Sequence, residues 1–337
     1  MIELRQDALV FSFPEVHEDA VLRIDFQRTL RIPDDGRDYP LPPGLGRFPL
    51  RHVDDYAARV PERWLRHGGV MLPMYQSEAL WLNFHSPHGY PFVLKVAAGK
   101  INAVTGDAWS DGVSRDPQDY VVIPEQPWLD GYAVEKGVIR QFVAMPLGSG
   151  YSAEEQITGA AEHGGIQLVA YPMKAKAWER LKRKRKLERF AFEAAYAPCL
   201  AEEMSAYDMG LAPGGRMRQE IYDDPYRFED WDLGHRSRCF VHIANSLVWR
   251  AITGENPPTV PPTAKEYTSA GLPWFEYYAE DLNVLEGAEK LASLKSVAQL
   301  GKQKGDVPLP ENEPVTPERV VALRRGLAKH EGRQGEF

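Results

Sequence analysis

The sequence has little cysteine and no long hydrophobic run, and its N-terminus lacks the basic and apolar regions of a signal peptide. Two cysteines, Cys199 and Cys239, are too few for a disulfide-stapled scaffold or a four-cysteine zinc site. The longest stretch without Lys, Arg, Asp or Glu, residues 79–94, is interrupted by prolines, histidines and an asparagine, which excludes a membrane span. We therefore expect a soluble, cytoplasmic protein with no membrane span.

The composition is that of a folded protein. Of 337 residues, 43% are hydrophobic and 11% aromatic, and eight are tryptophans, so the chain has enough apolar material for a sizeable core. Lys and Arg number 40 and Asp and Glu 48, which gives a formal charge of −8. At a typical domain size of about 150 residues, this length corresponds to roughly two domains.

The patterning predicts an α+β fold, with a β-rich N-terminal domain and a helix-rich C-terminal lobe. In residues 1–174, short apolar or alternating runs are separated by Gly, Pro and Asp, which is typical of strands. Residues 175–300 read as the helix-rich lobe. Residues 301–337 read as a linker followed by a short terminal helix, with Thr316 as its N-cap. A capping-box pattern also predicts a helix after Ser152, and a basic segment, 174–189, is predicted to be helical.

The residues that most resemble metal ligands or nucleophiles have simpler explanations. His85 and His88 lie in a turn that contains Pro and Gly, so the helical spacing that joins two imidazoles does not apply to them, and His163 would have to supply a third ligand. Cys239 and His242 are three residues apart, but a reactive thiol also needs exposure and a lowered pKa. We therefore predict no metal, no cofactor and a structural Cys239.

A run of five basic residues lies in the middle of the predicted helix 174–189. The run consists of Lys182, Arg183, Lys184, Arg185 and Lys186. Such a run is either a solvated helix face or a surface for an anionic partner, and it contains no aromatic residue that would stack on bases.

The candidate ligand-binding residues lie in two polar clusters. The first contains Trp128, Asp130 and Arg140. The second lies in residues 216–232 and contains Arg216, Arg218, Glu220, Tyr222, Asp223, Asp224, Asp230 and Asp232. Carboxylates in different environments can divide acid and base roles, whereas arginine–carboxylate pairs can equally hold a loop together. The sequence leaves both interpretations open.

Three strings resemble a family of uncharacterised bacterial and fungal proteins, some of them labelled "integral membrane protein". They are GRFPLRHVDDYAARVPERWLRHGGVMLPMYQSEALWLNF, QPWLDGYAVEKGVIRQFVAMPLGSGYSAEEQITG and GLPWFEYYAED. The resemblance covers roughly residues 45–280. It implies no activity, but some fungal relatives carry an added ubiquitin-like segment, which this sequence lacks and which suggests an interaction role. The mean hydropathy of −0.42 disagrees with the membrane label.

Two functions are consistent with these observations. The first is a soluble binding or interaction protein of unknown ligand, because no catalytic motif stands out. The second is a hydrolase whose carboxylate-containing site lies between the two lobes, where Trp128, Asp130 and Arg140 would meet the 216–232 segment. A pocket with converging carboxylates would favour the enzyme, and a flat aromatic patch would favour binding.

Overall fold

Most of the strands belong to two large sheets. A computed structural model describes residues 1–188, 208–279, 282–307, 309 and 312–323, with only the backbone given for 185–188. The strands are β1 (Ile2–Leu4), β2 (Leu9–Ser12), β3 (Val21–Thr29), β4 (Asp38–Tyr39), β5 (Gly44–Arg47), β6 (Arg51–His52), β7 (Val70–Met74), β8 (Ala79–His85), β9 (Phe92–Ala98), β10 (Ile101–Asn102), β11 (Val121–Ile123), β12 (Trp128–Leu129), β13 (Gly131–Glu135), β14 (Val138–Pro146), β15 (Ile166–Pro172), β16 (Met209–Arg218), β17 (Ser237–Asn245), β18 (Trp274–Tyr277) and β19 (Val320–Leu323).

The helices are short and lie between the strands. They are α1 (Glu62–His67), α2 (Ala153–Thr158), α3 (Ala175–Glu188), α4 (Ser246–Thr253), α5 (Ala264–Ser269), α6 (Glu289–Ala292) and α7 (Val297–Lys304), with 3-10 turns at Asp54–Tyr56 and Phe228–Asp230. The capping box predicted at Ser152 is confirmed, because its side chain accepts from the Glu155 N–H at the start of α2. The basic segment is helical as predicted, over α3.

The first sheet has the strand order β1-β2-β3-β8-β14-β16-β4, with β5 paired to β3, β12 to β8 and β13 to β14. Its pairs are antiparallel except β16 with β4. The second sheet has the order β10-β9-β15-β17-β7-β6, with β11 paired to β9 and a parallel pair between β17 and β7. Strands β18 and β19 form a separate parallel pair.

One hydrophobic cluster contains side chains from both large sheets. Phe26 and Leu82 come from the first sheet, and Phe92, Leu168 and Val241 come from the second. All five are at most 1% exposed. Burial of this apolar surface is the main favourable contribution to folding, and it fixes which faces of β3 and β8 point away from the core.

The prediction of an α+β fold with a helix-rich C-terminal lobe is wrong. The structure is β-rich, with 19% helix and 36% strand, and no helix-rich C-terminal lobe occurs among its described residues. The prediction failed because β16 and β17 are internal strands, flanked by partners on both edges. Residues 209–215 of β16 and 241–245 of β17 are buried without interruption, so these parts of the strands lack the two-residue period that marks a half-exposed strand.

Strands from both sides of position 175 complete the same two sheets, since β16 pairs with β14 and β17 pairs with β15. Near the C-terminus, α7 extends into the segment predicted as a linker, and β19 lies where a helix was predicted to follow Thr316. The final residues, 324–337, lie outside the described part of the chain. No helix in the described part is long and apolar enough to cross a membrane.

Candidate functional site

A polar face on β3 and β8 is the starting point of the site. The two strands are antiparallel neighbours, and their polar residues alternate with core residues such as Ile24 and Leu82. Three pairs therefore face each other on the side away from the core: Arg23 with His85, Asp25 with Asn83, and Gln27 with Trp81. Because directly opposite side chains in a sheet contact one another, these residues form a continuous surface.

This surface lines a cavity of about 460 Å³. Besides the three pairs, the lining residues are Leu41, Pro42, Arg47, Phe84, Pro127, Trp128, Asp130, Phe275 and Leu323. The elements that contribute are mainly β3, β5, β8, β12, β18 and β19. We refer to it as the Asp25–Asp130 cavity, after its two carboxyl groups. Its size and its mixture of apolar and polar side chains are typical of small-molecule sites.

Asp25 is 2% exposed and is surrounded by donors. The Gln27 Nε2 atom donates to Oδ1 at 2.5 Å, and the Asn83 Nδ2 atom donates to Oδ2 at 3.1 Å. The Arg47 Nε atom lies 3.5 Å from Oδ1. A buried carboxylate is expensive unless it is hydrogen-bonded in this way. The two amide side chains that hold Asp25 also line the cavity.

Asp130 is 3% exposed and sits at the junction of β12 and β13. Its Oδ2 accepts a hydrogen bond from Gln219 Nε2 at 2.7 Å, and its backbone N–H donates to Gln219 Oε1 at 2.9 Å. Burial raises the pKa of Asp130 to about 7. Hydrogen bonds from the Trp128 and Gln219 side chains lower this pKa, but their effect is smaller than that of burial. The carboxyl group is therefore close to half-protonated at neutral pH, which is the range in which acid and base catalysts and proton-linked binding sites operate.

Aromatic rings lie beside these carboxyl groups. Trp128 makes an edge contact with Trp81, with ring centroids 6.3 Å apart, and its ring lies 4.8 Å from that of Tyr277. Trp81 is buried and Trp128 is half-buried. Aromatic side chains provide a large apolar contact area, and ordering them costs little conformational entropy because they have few rotatable bonds.

The glycine after Asp130 is required by close packing. A Cβ atom on Gly131 would lie 2.0 Å from the backbone oxygen of Arg140, because β13 and β14 approach closely at this point. Asp130 is thus held on one side by a tight strand pairing and on the other by Gln219.

Of the predicted candidates, Trp128 and Asp130 line the Asp25–Asp130 cavity, and the other candidates do not. Arg140 lies on a separate groove beside Lys295 and Lys302, where its Nη1 donates to the Gly214 oxygen at 3.2 Å. Burial lowers the pKa of Arg140, but Asp34 opposes this shift.

The two arginines at the start of the 216–232 segment form ion pairs. Arg216 binds the carboxylates of Glu135 and Asp38, each at 2.6 Å, and hydrogen bonds to both raise its pKa. Arg218 pairs with Glu276. These contacts connect β16 to β4 and β13 of the first sheet and to β18 of the separate pair.

Asp224 is a buried acceptor outside the cavity. Its Oδ2 accepts from Tyr120 Oη at 2.7 Å and from Trp231 Nε1 at 2.8 Å, and its Oδ1 accepts from the Tyr226 N–H at 2.8 Å. All three donors belong to the protein, and two of them are buried aromatic side chains. Asp224 therefore acts as an internal cross-link.

The remaining candidates hold local structure. Tyr222 donates to Glu220 at 3.1 Å, and the Asp223 N–H donates to the Asn283 oxygen at 2.9 Å. Asp230 pairs with Arg180 and Arg227, and Asp232 pairs with His235 at 3.0 Å and accepts from two backbone N–H groups in the same turn. The two clusters meet through Gln219 and Asp130, but the 216–232 candidates remain outside the cavity.

The sequence analysis did not identify Asp25, Asn83, Gln27 and Trp81 as site residues. A signal was present, because β3 alternates apolar and polar residues and β8 carries Trp81, Asn83 and His85 at the same two-residue spacing. That pattern is normally that of a strand with one solvent-exposed face. Asp25 and Trp81 are buried because the 41–42 segment, Phe275 of β18 and Leu323 of β19 lie over this face, while Arg47 and Trp128 flank it from the paired strands β5 and β12.

The other residues weighed as chemical groups have structural surroundings. Cys239 is buried, which raises the pKa of its thiol to about 12 and makes it unreactive. The His163 ring lies beside that of His67 in a tilted arrangement, with centroids 5.9 Å apart, and the described residues contain no group of three metal-ligating side chains.

In the basic run, Lys182 forms ion pairs with Asp19 at 3.0 Å and Glu179 at 2.8 Å. The side chains of Arg185 and Lys186 lie outside the described part of the structure. Part of the positive charge of this run is therefore used within the chain, and an anionic partner stays a prediction.

Comparisons of this chain with protein-family models, with curated proteins and with solved structures found no match.

Proposed function

We propose that this protein binds a small polar organic molecule in the Asp25–Asp130 cavity. The observation that carries the proposal is the placement of Asp130, a fully buried carboxyl group with a pKa of about 7, beside Trp128 in a cavity of about 460 Å³. A buried ionisable group reduces stability, and such groups are concentrated at functional sites. Asp224, the other buried carboxylate of the predicted clusters, has its acceptors occupied by protein donors and lines no such cavity.

The second support is the division of the lining into aromatic and polar parts. Trp81, Trp128 and Phe275 supply apolar surface, while Asn83 and Gln27 supply hydrogen-bonding groups. A ligand pocket combines these two kinds of surface, since apolar contact provides affinity and a few placed polar groups provide orientation.

Ligand binding can be tested with a library of small polar compounds, read out by thermal shift and by tryptophan fluorescence. Trp128→Ala and Asp130→Asn are each expected to weaken binding by about tenfold or more, because each removes a group that faces the ligand. Trp109→Ala is the matched control, since Trp109 contacts Lys95 and Arg238 away from the cavity. A library without a binder, or binders that all three variants retain equally, would contradict the proposal.

Hydrolysis is a second candidate function, and one observation favours it. Two buried carboxyl groups, Asp25 and Asp130, line the same cavity in different surroundings. With a pKa of about 7, Asp130 is protonated in about half of the molecules at neutral pH, and the protonated form can act as a general acid. Asp25, held by two amides and adjacent to Arg47, would serve as the base or nucleophile.

Chromogenic glycosides and esters distinguish the two candidates. For a hydrolase, Asp25→Asn and Asp130→Asn should each lower turnover by about a hundredfold or more at saturating substrate, and wild-type activity should fall above a pH of about 7 as Asp130 loses its proton. Binding without turnover of any member of either class would favour the binding function.

A further inference from the structure

The charges around the Asp25–Asp130 cavity nearly cancel. Its lining carries two guanidinium groups, Arg23 and Arg47, against the carboxyl group of Asp25 and that of Asp130, which is about half ionised at pH 7, together with an exposed His85. Arg47 already lies beside Asp25, with 3.5 Å between Nε and Oδ1. Partial desolvation of the ring is the main cause that lowers the pKa of His85, and the nearby charge of Arg23 adds to this shift. Neither an anion nor a cation would find a large unpaired field of opposite sign here.

Hydrogen-bonding groups remain available in the lining. The side-chain NH2 groups of Asn83 and Gln27 are used on Asp25, and the amide oxygens Asn83 Oδ1 and Gln27 Oε1 accept no hydrogen bond from the described residues. A carboxylate has about four lone-pair sites, so Asp25 has acceptor capacity beyond its three neighbours. Arg23 and Arg47 add donors. The ligand therefore needs several groups that donate and accept.

The rest of the lining is apolar and largely aromatic. Trp81 and Trp128 lie beside the polar pairs, and Leu41, Pro42 and Phe275 complete the wall. A ligand that fills the cavity must present C–H surface to these side chains as well as polar groups to the amides. Aromatic faces bind such C–H surface well because their contact area is large and rigid.

From this balance of charge, hydrogen bonding and aromatic surface we propose that the ligand is an uncharged carbohydrate, a mono- or disaccharide. Sugar hydroxyls both donate and accept, which suits the amide oxygens and the arginines, and the C–H faces of sugar rings suit Trp81 and Trp128. This inference rests on the proposed function of the cavity and specifies its ligand class. It also applies to the hydrolytic candidate, because a pair of carboxyl groups is the usual machinery of glycoside hydrolysis.

The test is titration calorimetry and tryptophan fluorescence at pH 7 with defined compounds. The neutral panel is glucose, galactose, mannose, xylose, N-acetylglucosamine, maltose, cellobiose and lactose. The charged panel is choline, glucuronate, glucose 6-phosphate, lysine and glutamate. Binding is compared among wild type, Trp128→Ala, Asn83→Ala and the control Trp109→Ala.

We expect at least one neutral sugar to bind, with affinity lowered about tenfold or more by Trp128→Ala and by Asn83→Ala but unchanged in Trp109→Ala. Sugar binding that survives both cavity substitutions would overturn the inference. If charged compounds bind in a Trp128-dependent manner and neutral sugars do not, the ligand class is wrong while the proposed function stands. If neither these panels nor the wider polar library gives a Trp128-dependent binder, both fail.

Discussion

Gln219 holds Asp130 from two directions. Its Oε1 accepts the Asp130 backbone N–H at 2.9 Å, and its Nε2 donates to the Asp130 Oδ2 atom at 2.7 Å. One glutamine side chain thus fixes both the backbone and the carboxyl group of Asp130. It also connects the segment after β16 to the β12–β13 junction, so the position of this carboxyl depends on a residue 89 positions away in sequence.

The free energy of unfolding of the Asp130→Asn variant, relative to that of wild type, is expected to increase as the pH rises. The folded-state pKa of Asp130 is raised to about 7 from an ordinary value of 3.8, so the folded protein holds a proton that the unfolded chain releases. The resulting destabilisation of wild type is absent below pH 3.8 and complete above pH 7. A shift of this size corresponds to at most about 4 kcal/mol.

Urea unfolding of both proteins at pH 4.5, 6 and 8 measures this difference. Asp232→Asn provides a control, because Asp232 lies in an exposed turn away from the cavity and pairs with His235. A stability difference between Asp130→Asn and wild type that stays constant over this pH range would show that Asp130 is ionised in the folded state as readily as in the unfolded state.

Asp224→Ala should destabilise the protein by about 3–5 kcal/mol, because it leaves the buried donors of Tyr120 and Trp231 without an acceptor. Arg218→Ala should cost about 0–1 kcal/mol, since the Arg218–Glu276 pair is partly exposed. Thermal and urea unfolding give both values. An Asp224→Ala protein as stable as wild type, and deficient in binding one of the compounds named above, would assign Asp224 to a binding site instead.

His242 should make wild type lose stability on acidification. Its ring stacks on Trp64 at 4.7 Å and donates from Nε2 to the Gly68 oxygen at 3.0 Å, and it faces His67 and Arg63. Burial lowers the pKa of His242 to about 4 from 6.5, so the stabilisation is complete above pH 6.5 and is lost as the pH falls toward 4. The full loss is about 3 kcal/mol.

His242→Gln keeps an N–H donor and removes the ionisable ring, so its stability should depend less on pH than that of wild type. The unfolding free energies of wild type and His242→Gln are measured at pH 7.5, 5.5 and 4.5, and the value for the variant is subtracted from that for wild type at each pH. Because both proteins contain Asp130, its opposing contribution cancels in this difference. Parallel pH dependences in wild type and variant would exclude His242 as the source.

Gly131→Ala should destabilise the fold by roughly 2–4 kcal/mol, because the added Cβ would lie 2.0 Å from the Arg140 backbone oxygen. The substitution should also weaken ligand binding, because relief of this clash would displace Asp130.

Gly301→Ala is the matched control, since the nearest atom to its added Cβ is 3.5 Å away and the residue lies within α7. Alanine favours helix over glycine, so this control should be neutral or slightly stabilising. Equal effects of the two substitutions on melting temperature would show that β13 and β14 can separate at this position.

Local features could be predicted from the sequence wherever neighbouring residues decide the structure. The alternation of apolar and polar residues over Val21–Phe26, which lies within β3, the capping box at Ser152 and the basic helix α3 all follow from short-range patterns. Trp128 and Asp130 were named as candidates, together with Arg140, because residues 126–131 have the pattern of a turn that carries an indole and a carboxyl group. The internal strands β16 and β17 were missed, since burial on both faces removes the periodicity that identifies a strand.

The sequence by itself determined that short strands separated by Gly, Pro and Asp occur in the first 174 residues, where α2 begins, and that Asp130 follows Trp128 before a glycine. Only the tertiary structure decided that β16 lies beside β14, that Gln219 reaches Asp130, and that Asp25 opposite Asn83 is buried instead of solvated. The physical reason is that burial and hydrogen-bond partners depend on which distant segments pack together. The polar face of β3 becomes a cavity wall because the 41–42 segment, β18 and β19 lie over it, and no local pattern in β3 encodes that covering.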